Sequence, residues 1–180
     1  GVPPKYTDWR SWLAYSERLV RALDLDPGRA RRVLDLGCGS CYYPYICKLL
    51  GNEILGLCLG DMSRFTEMTR LLAVPRVIWR IKAFEPLPDL GAPFDAVSAA
   101  VAGVNVSRAA RIWGPAGVDL CLDALRRQLR PRAQIRFEVH REWDGTYCTP
   151  ERKAFFEKRG ATVGDNQVIF RAPPRTLVSA

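Results

Sequence analysis

A four-residue apolar run, Val33-Leu34-Asp35-Leu36, stops at Gly37-Cys38-Gly39 and gives way to Tyr43-Pro44-Tyr45-Ile46-Cys47-Lys48-Leu49-Leu50, closed by Gly51. Strand, glycine turn and helix in direct succession point to a crossover unit, in which the helix packs back onto the sheet its strand belongs to. Pro44 fits only the first turn of that helix, where an amide hydrogen is not needed. The period then repeats. Residues 53–59 read as a second strand and 63–72 as a second helix, with Ser63 placed to cap it and Phe65, Met68, Leu71 and Leu72 on one side. Pro75 stops that helix. Residues 76–81 are a third strand and, after Pro86 and Pro88, 94–100 a fourth.

Beyond them Pro115 opens a helix in which Val118, Leu122, Leu125 and Leu129 share a face, and 134–140 makes a fifth strand. Thr149-Pro150 starts a helix that runs through Phe155 and Phe156 to Gly160. Two short strands, 161–163 and 167–171, flank Gly164-Asp165-Asn166, the turn chemistry of an antiparallel pair. Ahead of the first strand, Trp9, Trp12, Leu13, Val20 and Leu23 recur at helical spacing over 7–23, and Asp26-Pro27-Gly28 ends that helix. Alternating strands and helices predict an α/β fold of Rossmann-like, three-layer αβα type. Its seven-stranded sheet is mostly parallel with an antiparallel edge hairpin, and ligands are expected outside the carboxyl ends of the strands. One feature resists: Ile135, Phe137 and Val139 alternate with Arg136, Glu138 and His140, the pattern of a half-solvated strand rather than a covered one.

The 180 residues, 48% hydrophobic, suffice for one core. The reading is a single domain over 1–180: an amino-terminal helix and connector to 32, a core over 33–172 and a tail over 173–180. No apolar run approaches a membrane span and the first residues lack a secretory pattern, so no membrane and a cytoplasmic location are expected. Six cysteines, several in apolar segments, are cytosolic usage. Cys38-Gly39-Ser40-Cys41 is formally a C-x-x-C, but no second pair follows and His140 is the only histidine, so no metal is expected. The net charge of +8 is spread along the chain, with its densest stretch at 126–141. Nucleic acid is therefore a disfavoured partner, since arginines on a helix end are more often a solvated face.

Gly37 and Gly39 let the backbone turn sharply and approach a ligand, while the helix beyond presents free amides. A dinucleotide fingerprint is disfavoured, because Tyr42 stands where its third glycine belongs and Cys58 stands near its ribose-binding acid. A P-loop is excluded by the lack of a Gly-Lys-Ser or Gly-Lys-Thr.

Val33-Leu34-Asp35-Leu36-Gly37-Cys38-Gly39-Ser40 resembles the first motif of class I S-adenosylmethionine-dependent methyltransferases. The resemblance extends through Ile54-Leu55-Gly56-Leu57-Cys58 as second strand, 83–88 as the loop after the third, Phe94-Asp95-Ala96-Val97 as fourth, and 125–137 as the helix and fifth strand. It implies that Gly37, Cys38 and Gly39 line the methionine part of the cofactor, with Asp35 reaching its amino group. Cys58, Leu59 and Met62 would surround ribose and adenine, Ala83, Phe84 and Glu85 would flank the adenine, and Ala100 would lie near the sulfonium. His140 and Tyr42 are candidate proton acceptors, with Glu138 and Asp144 further candidates, and Tyr6, Trp9 and Trp12 a lid. Tyr43, Tyr45, Trp113 and Trp143 are candidate pocket walls.

The chain departs from the family pattern at several places. Cys58 replaces the acid that takes both ribose hydroxyls, Cys41 replaces a glycine, and Pro131-Arg132-Ala133 replaces Pro-Gly-Gly. The expected activity is methyl transfer from S-adenosylmethionine to a small-molecule acceptor, releasing S-adenosylhomocysteine. A catalytically degraded binding or scaffold subunit, or an RNA or DNA methyltransferase, is the alternative.

Overall fold

The structure is a computed structural model and describes residues 8–25, 27–82, 84–91, 93–100, 114–141 and 145–171. Seven strands form one sheet in the order β3-β2-β1-β4-β5-β7-β6. The chain divides into two compact units, Gly1–Arg80 and Ile81–Ala180.

The first unit contains α1 (Trp9–Ala22), β1 (Arg32–Leu36), α2 (Tyr42–Leu49), β2 (Glu53–Cys58), α3 (Ser63–Leu71) and β3 (Arg76–Ile78). Its three strands are all parallel: Arg32 to Leu36 face Glu53 to Leu57, and Gly56 to Cys58 face Arg76 to Ile78. Val33, Leu34, Leu36, Ile54 and Leu57 are buried, as a parallel sheet covered by helices requires. Asn52 joins three segments at the start of β2. Its amide donates to the carbonyls of Leu25 and Cys47, and its oxygen accepts from the Arg31 N–H.

Helix α1 starts at Asp8, whose carboxylate accepts from the Ser11 amide and hydroxyl and is held below the usual carboxylate range by those bonds. The helix buries Ser16, Leu19 and Val20. Trp9 stays exposed with Arg10 over its ring, and Trp12 packs edge-on against Tyr15, so both tryptophans meet residues of their own helix. Tyr6, the third member of the expected lid, lies outside the described residues.

Helix α3 corrects the sequence reading. Ser63 is its first residue rather than its cap, which is Met62, and Met62 makes no side-chain cap bond. Leu71 is exposed, and the residue the helix buries is Thr69, whose hydroxyl bonds back to the Phe65 carbonyl. A polar inward residue hides from a purely apolar periodicity.

The second unit contains β4 (Phe94–Ala99), α4 (Pro115–Arg127), β5 (Leu129–Glu138), α5 (Pro150–Glu157), β6 (Ala161–Val163) and β7 (Gln167–Arg171). β4 and β5 are parallel, with a register shift between Phe94 and Ala96, and β7 is antiparallel to both β5 and β6. The edge hairpin is therefore where the sequence puts it, with its later strand inserted beside β5. Val118, Leu122 and Leu125 form the buried face of α4 as expected, but Leu129 is already in β5. That strand begins five residues earlier than the apolar alternation suggests, because 129–133 carries arginines and a proline. The alternation along β5 also has its explanation: Arg136 and Glu138 are mostly buried and stand 3.8 Å apart as an ion pair. Alternating charge marks a paired face here, not a solvated one. Thr149 caps α5 through the Arg152 amide, and Phe156 lies between Phe155 and Phe170.

Candidate functional site

The end of β1 passes directly into a turn of left-handed residues. Gly37 continues the ladder by donating to the Leu57 carbonyl at 2.6 Å, then adopts φ +79°, and Gly39 follows at φ +50°. A β-carbon built on Gly37 would meet nothing within 4 Å, so glycine is needed for the sign of φ, and the space over it is open. Cys41 also takes a positive φ, +60°, as the residue that caps α2, and has no side-chain capping bond. A non-glycine residue there costs about 1–3 kcal/mol, held by the Cys41 N–H to Cys38 carbonyl bond at 2.8 Å. Asp35 is only 4% exposed, and Tyr42 is the half-buried first residue of α2.

Three cysteines meet beneath this turn. Cys38, Cys41 and Cys58 form one buried cluster with Val74, flanked by Tyr45 and Leu72. The Cys38 thiol is hydrogen-bonded to both Cys41 and Cys58, which, with burial and the nearby Asp35 charge, drives its own pKa far up. The Cys41 sulfur lies 3.2 Å from the Thr69 hydroxyl. Cys58 moves the other way, down to about 6, chiefly through the Cys38 hydrogen bond and also through the Gly60 backbone and the Arg76 guanidinium, whose nitrogen is 3.7 Å from the sulfur. Cys41 is lowered too, by the same Cys38 hydrogen bond, but only Cys58 has an arginine beside its sulfur as well. Farther along α2, burial pushes Cys47 up to about 12.

Next to Cys58, the exposed apolar side chains Leu59, Ile78 and Trp79 stand at the ends of β2 and β3, and half-buried Met62 leads into α3. The Trp79 amide donates to the Cys58 carbonyl, carrying the pairing one residue past β3. Gly60, at φ +68°, packs on Ile78, where a β-carbon would come to 3.0 Å. The first unit thus assembles Asp35, Gly37, Cys38, Gly39, Tyr42, Cys58, Leu59 and Met62 on the segments at the ends of β1 and β2. Sequence reasoning missed Gly56, Thr69 and Arg76. A lone glycine inside a strand was the available signal for Gly56, since such a glycine often marks a close approach by a neighbour.

In the second unit, Phe84 is 64% exposed at φ +66°, and Glu85 pairs with Lys82 at 2.9 Å. Ala100 follows β4 directly. His140 lies two residues beyond the end of β5 rather than within it, half-buried, while Val139 donates to the Asn166 carbonyl. Glu138, a candidate base, is held by Arg136. Ala83, Trp113, Trp143 and Asp144 lie outside the described residues. A pocket of about 270 Å³ lined by Pro115, Val118, Phe155 and Phe156 contains none of the expected site residues.

Among the described residues no group of His, Cys, Asp or Glu is arranged to hold a metal ion. No helix of the described residues is long and apolar enough to cross a membrane. Within 126–141, Arg126 pairs with Asp123, Arg130 with Asp95 and Arg136 with Glu138, and Arg141 covers the Tyr147 ring.

No protein-family model matches the chain, and no curated protein matches it. Solved structures do. A TehB-like SAM-dependent methyltransferase from Corynebacterium glutamicum is 17% identical, with a TM-score of 0.60 over 96% of this chain and 97% of its own. A SAM dependent methyltransferase from Aquifex aeolicus is 18% identical, with a TM-score of 0.57 over 87% and 88%. SAM-bound CalS10, an amino pentose methyltransferase from Micromonospora echinaspora, is 23% identical, with a TM-score of 0.50 over 81% of this chain and 53% of its own. The chain has the class I methyltransferase fold.

Proposed function

We propose that the protein is a methyltransferase that uses S-adenosylmethionine to methylate a small-molecule acceptor and releases S-adenosylhomocysteine. The observation that carries this reading is the left-handed turn Gly37 to Cys41 at the end of β1, open above Gly37, in a chain whose fold is that of SAM-dependent methyltransferases. The residues fit the cofactor. An amide-bearing turn without side chains at Gly37 and Gly39 accepts the methionine portion, with Asp35 as the acid for its amino group. The resemblance assigns Cys58 the position of the ribose-binding acid, and its lowered pKa favours the charged form that such a role needs. Leu59 and Met62 offer apolar surface for the adenine at the end of β2.

When bound, S-adenosylmethionine supplies a methyl group already activated on a sulfonium. What the chain must then provide is mainly alignment of the acceptor. His140 and Tyr42 are the residues assigned to take a proton from an acceptor that has to lose one. We read 1–180 as a single methyltransferase-like domain, and a cytoplasmic setting suits its six free cysteines.

Cys58 in place of the acid favours a second reading, a binding subunit that keeps the fold without turnover. Calorimetric titration with S-adenosylmethionine and S-adenosylhomocysteine tests the first. Binding at about micromolar Kd, near −8 kcal/mol, is expected, and Gly37→Asp should abolish it by placing a carboxylate in the open space over the turn. No heat and no thermal stabilisation at millimolar ligand would overturn the reading. Binding of the cofactor without methyl transfer in an acceptor screen would favour the second.

A further inference from the structure

Cys38 belongs to the turn proposed to hold the cofactor, yet its thiol occupies a seat that this role does not require. On β2, Gly56 and Cys58 point to the same face, two residues apart. Cys38 fills the space over Gly56: a β-carbon added there would come within 2.8 Å of the Cys38 sulfur and 3.1 Å of its β-carbon. The missing side chain at Gly56 thus seats the Cys38 thiol beside Cys58. Arg76, from β3, reaches the same sulfur with one guanidinium nitrogen while the other bonds the Thr66 hydroxyl at 3.2 Å. Cys41, the third thiol, is fully buried and engaged by Thr69, whereas Cys58 keeps 8% of its surface open.

We propose that Cys58 and Cys38 are an oxidisable thiol pair, a site at which a hydroperoxide cross-links β2 to the glycine turn. The Cys58 sulfur attacks one peroxide oxygen, the O–O bond breaks, and the departing oxygen leaves as water after taking a proton, so that Cys58 becomes a sulfenic acid. The Cys38 sulfur then attacks the Cys58 sulfur, the S–O bond breaks, and the departing hydroxide leaves as water with the Cys38 proton. Two thiols are oxidised, one molecule of hydrogen peroxide is reduced, and two waters form. Arg76 fits this chemistry by holding the attacking sulfur as thiolate. Cys38, buried and protonated, is the resolving thiol. The disulfide ties down the turn proposed to receive the cofactor, but its formation does not rest on the methyl-transfer reading and is read out separately.

The test uses the full chain, reduced, desalted, treated with hydrogen peroxide, alkylated and digested with trypsin. Cleavage after Arg32, Lys48 and Arg64 puts Cys38, Cys41 and Cys47 on one peptide and Cys58 on the next. The expected product is those two peptides joined, with fragmentation placing the link at Cys38 and dithiothreitol releasing it. Four thiols of the six remain for alkylation. Cys58→Ser should remove the link. Arg76→Gln, which keeps both cysteines and the larger Cys38 hydrogen bond, should slow its formation about twofold near pH 6, because somewhat less of Cys58 is then thiolate. In the unaltered protein the rate should rise with pH through about 6 and level off above it. Six alkylatable thiols after peroxide, a link from Cys38 to Cys41, or an unchanged rate in Arg76→Gln would each overturn the proposal.

Discussion

In the first unit three thiols cluster beside the strands, where the one ion pair between strands is Arg32 with Glu53 among the described residues, and in the second unit ion pairs recur. Cys38, Cys41 and Cys58 gather beneath the turn after β1, with one arginine at the rim. In the second unit Arg136 pairs with Glu138 on β5, Arg130 with Asp95 across β4 and β5, and Arg159 with Asp119 between the segment after α5 and helix α4. Sulfur tolerates an apolar setting and can change its charge or covalent state there. A fixed ion pair has no such choice and earns its place through geometry, the Arg159 guanidinium gripping both oxygens of Asp119. The contrast separates a region built to respond from one built to stay put.

Removing the ring that anchors the fixed region has the largest expected effect. Phe156 is fully buried and meets Phe155 and Phe170 edge-on, so Phe156→Ala should cost about 3–5 kcal/mol in urea unfolding. A loss below about 1 kcal/mol would mean that this cluster does not hold α5. On the thiol side, Gly56→Ala should cost about 1–3 kcal/mol, because the new methyl group meets the Cys38 side chain. The cost should shrink in a Cys38→Ala background, with a coupling of at least about 0.5 kcal/mol in the double-mutant cycle. Simple additivity would show that the thiol does not fill that space.

The smallest effect belongs to Asp119, a partly exposed pair member whose replacement by Asn should cost less than about 1 kcal/mol at neutral pH. Its carboxyl is held below the ordinary 3.8 by the Arg159 hydrogen bonds and charge, so the stabilisation is present above 3.8 and is lost as pH falls through the lower folded value. Wild-type and Asp119→Asn melting curves should converge in acid, and a gap that widened there would break the assignment.

Most of the architecture was legible because its signals are local. Two glycines after an apolar run, proline at the start of α4 and α5, and Gly164-Asp165-Asn166 between two short strands each state their own geometry. The errors fell where a polar residue faces inward. Thr69 on α3 and the Arg136 and Glu138 pair on β5 need a partner from elsewhere in the chain, or farther along the strand, before their burial makes sense. The same limit governed the site. Cys38 and Cys41 advertised themselves by spacing, but their neighbour Cys58 is brought beside them only by the β1–β2 register, and Arg76 only by β3. A C-x-x-C reading by itself could not find a third sulfur twenty residues away.

The insertion of β7 between β5 and β6 bears on how the protein is made. Among the described residues β5 is the longest strand, and the neighbour that covers one of its edges, β7, comes after every other described strand in chain order. During synthesis, everything up to β6 leaves the ribosome before that edge can be closed, so the nascent chain carries an open row of backbone donors and acceptors along 134–138. Its vulnerability to wrong pairing is therefore concentrated in a short interval that ends when residues 167–171 emerge and zip into place.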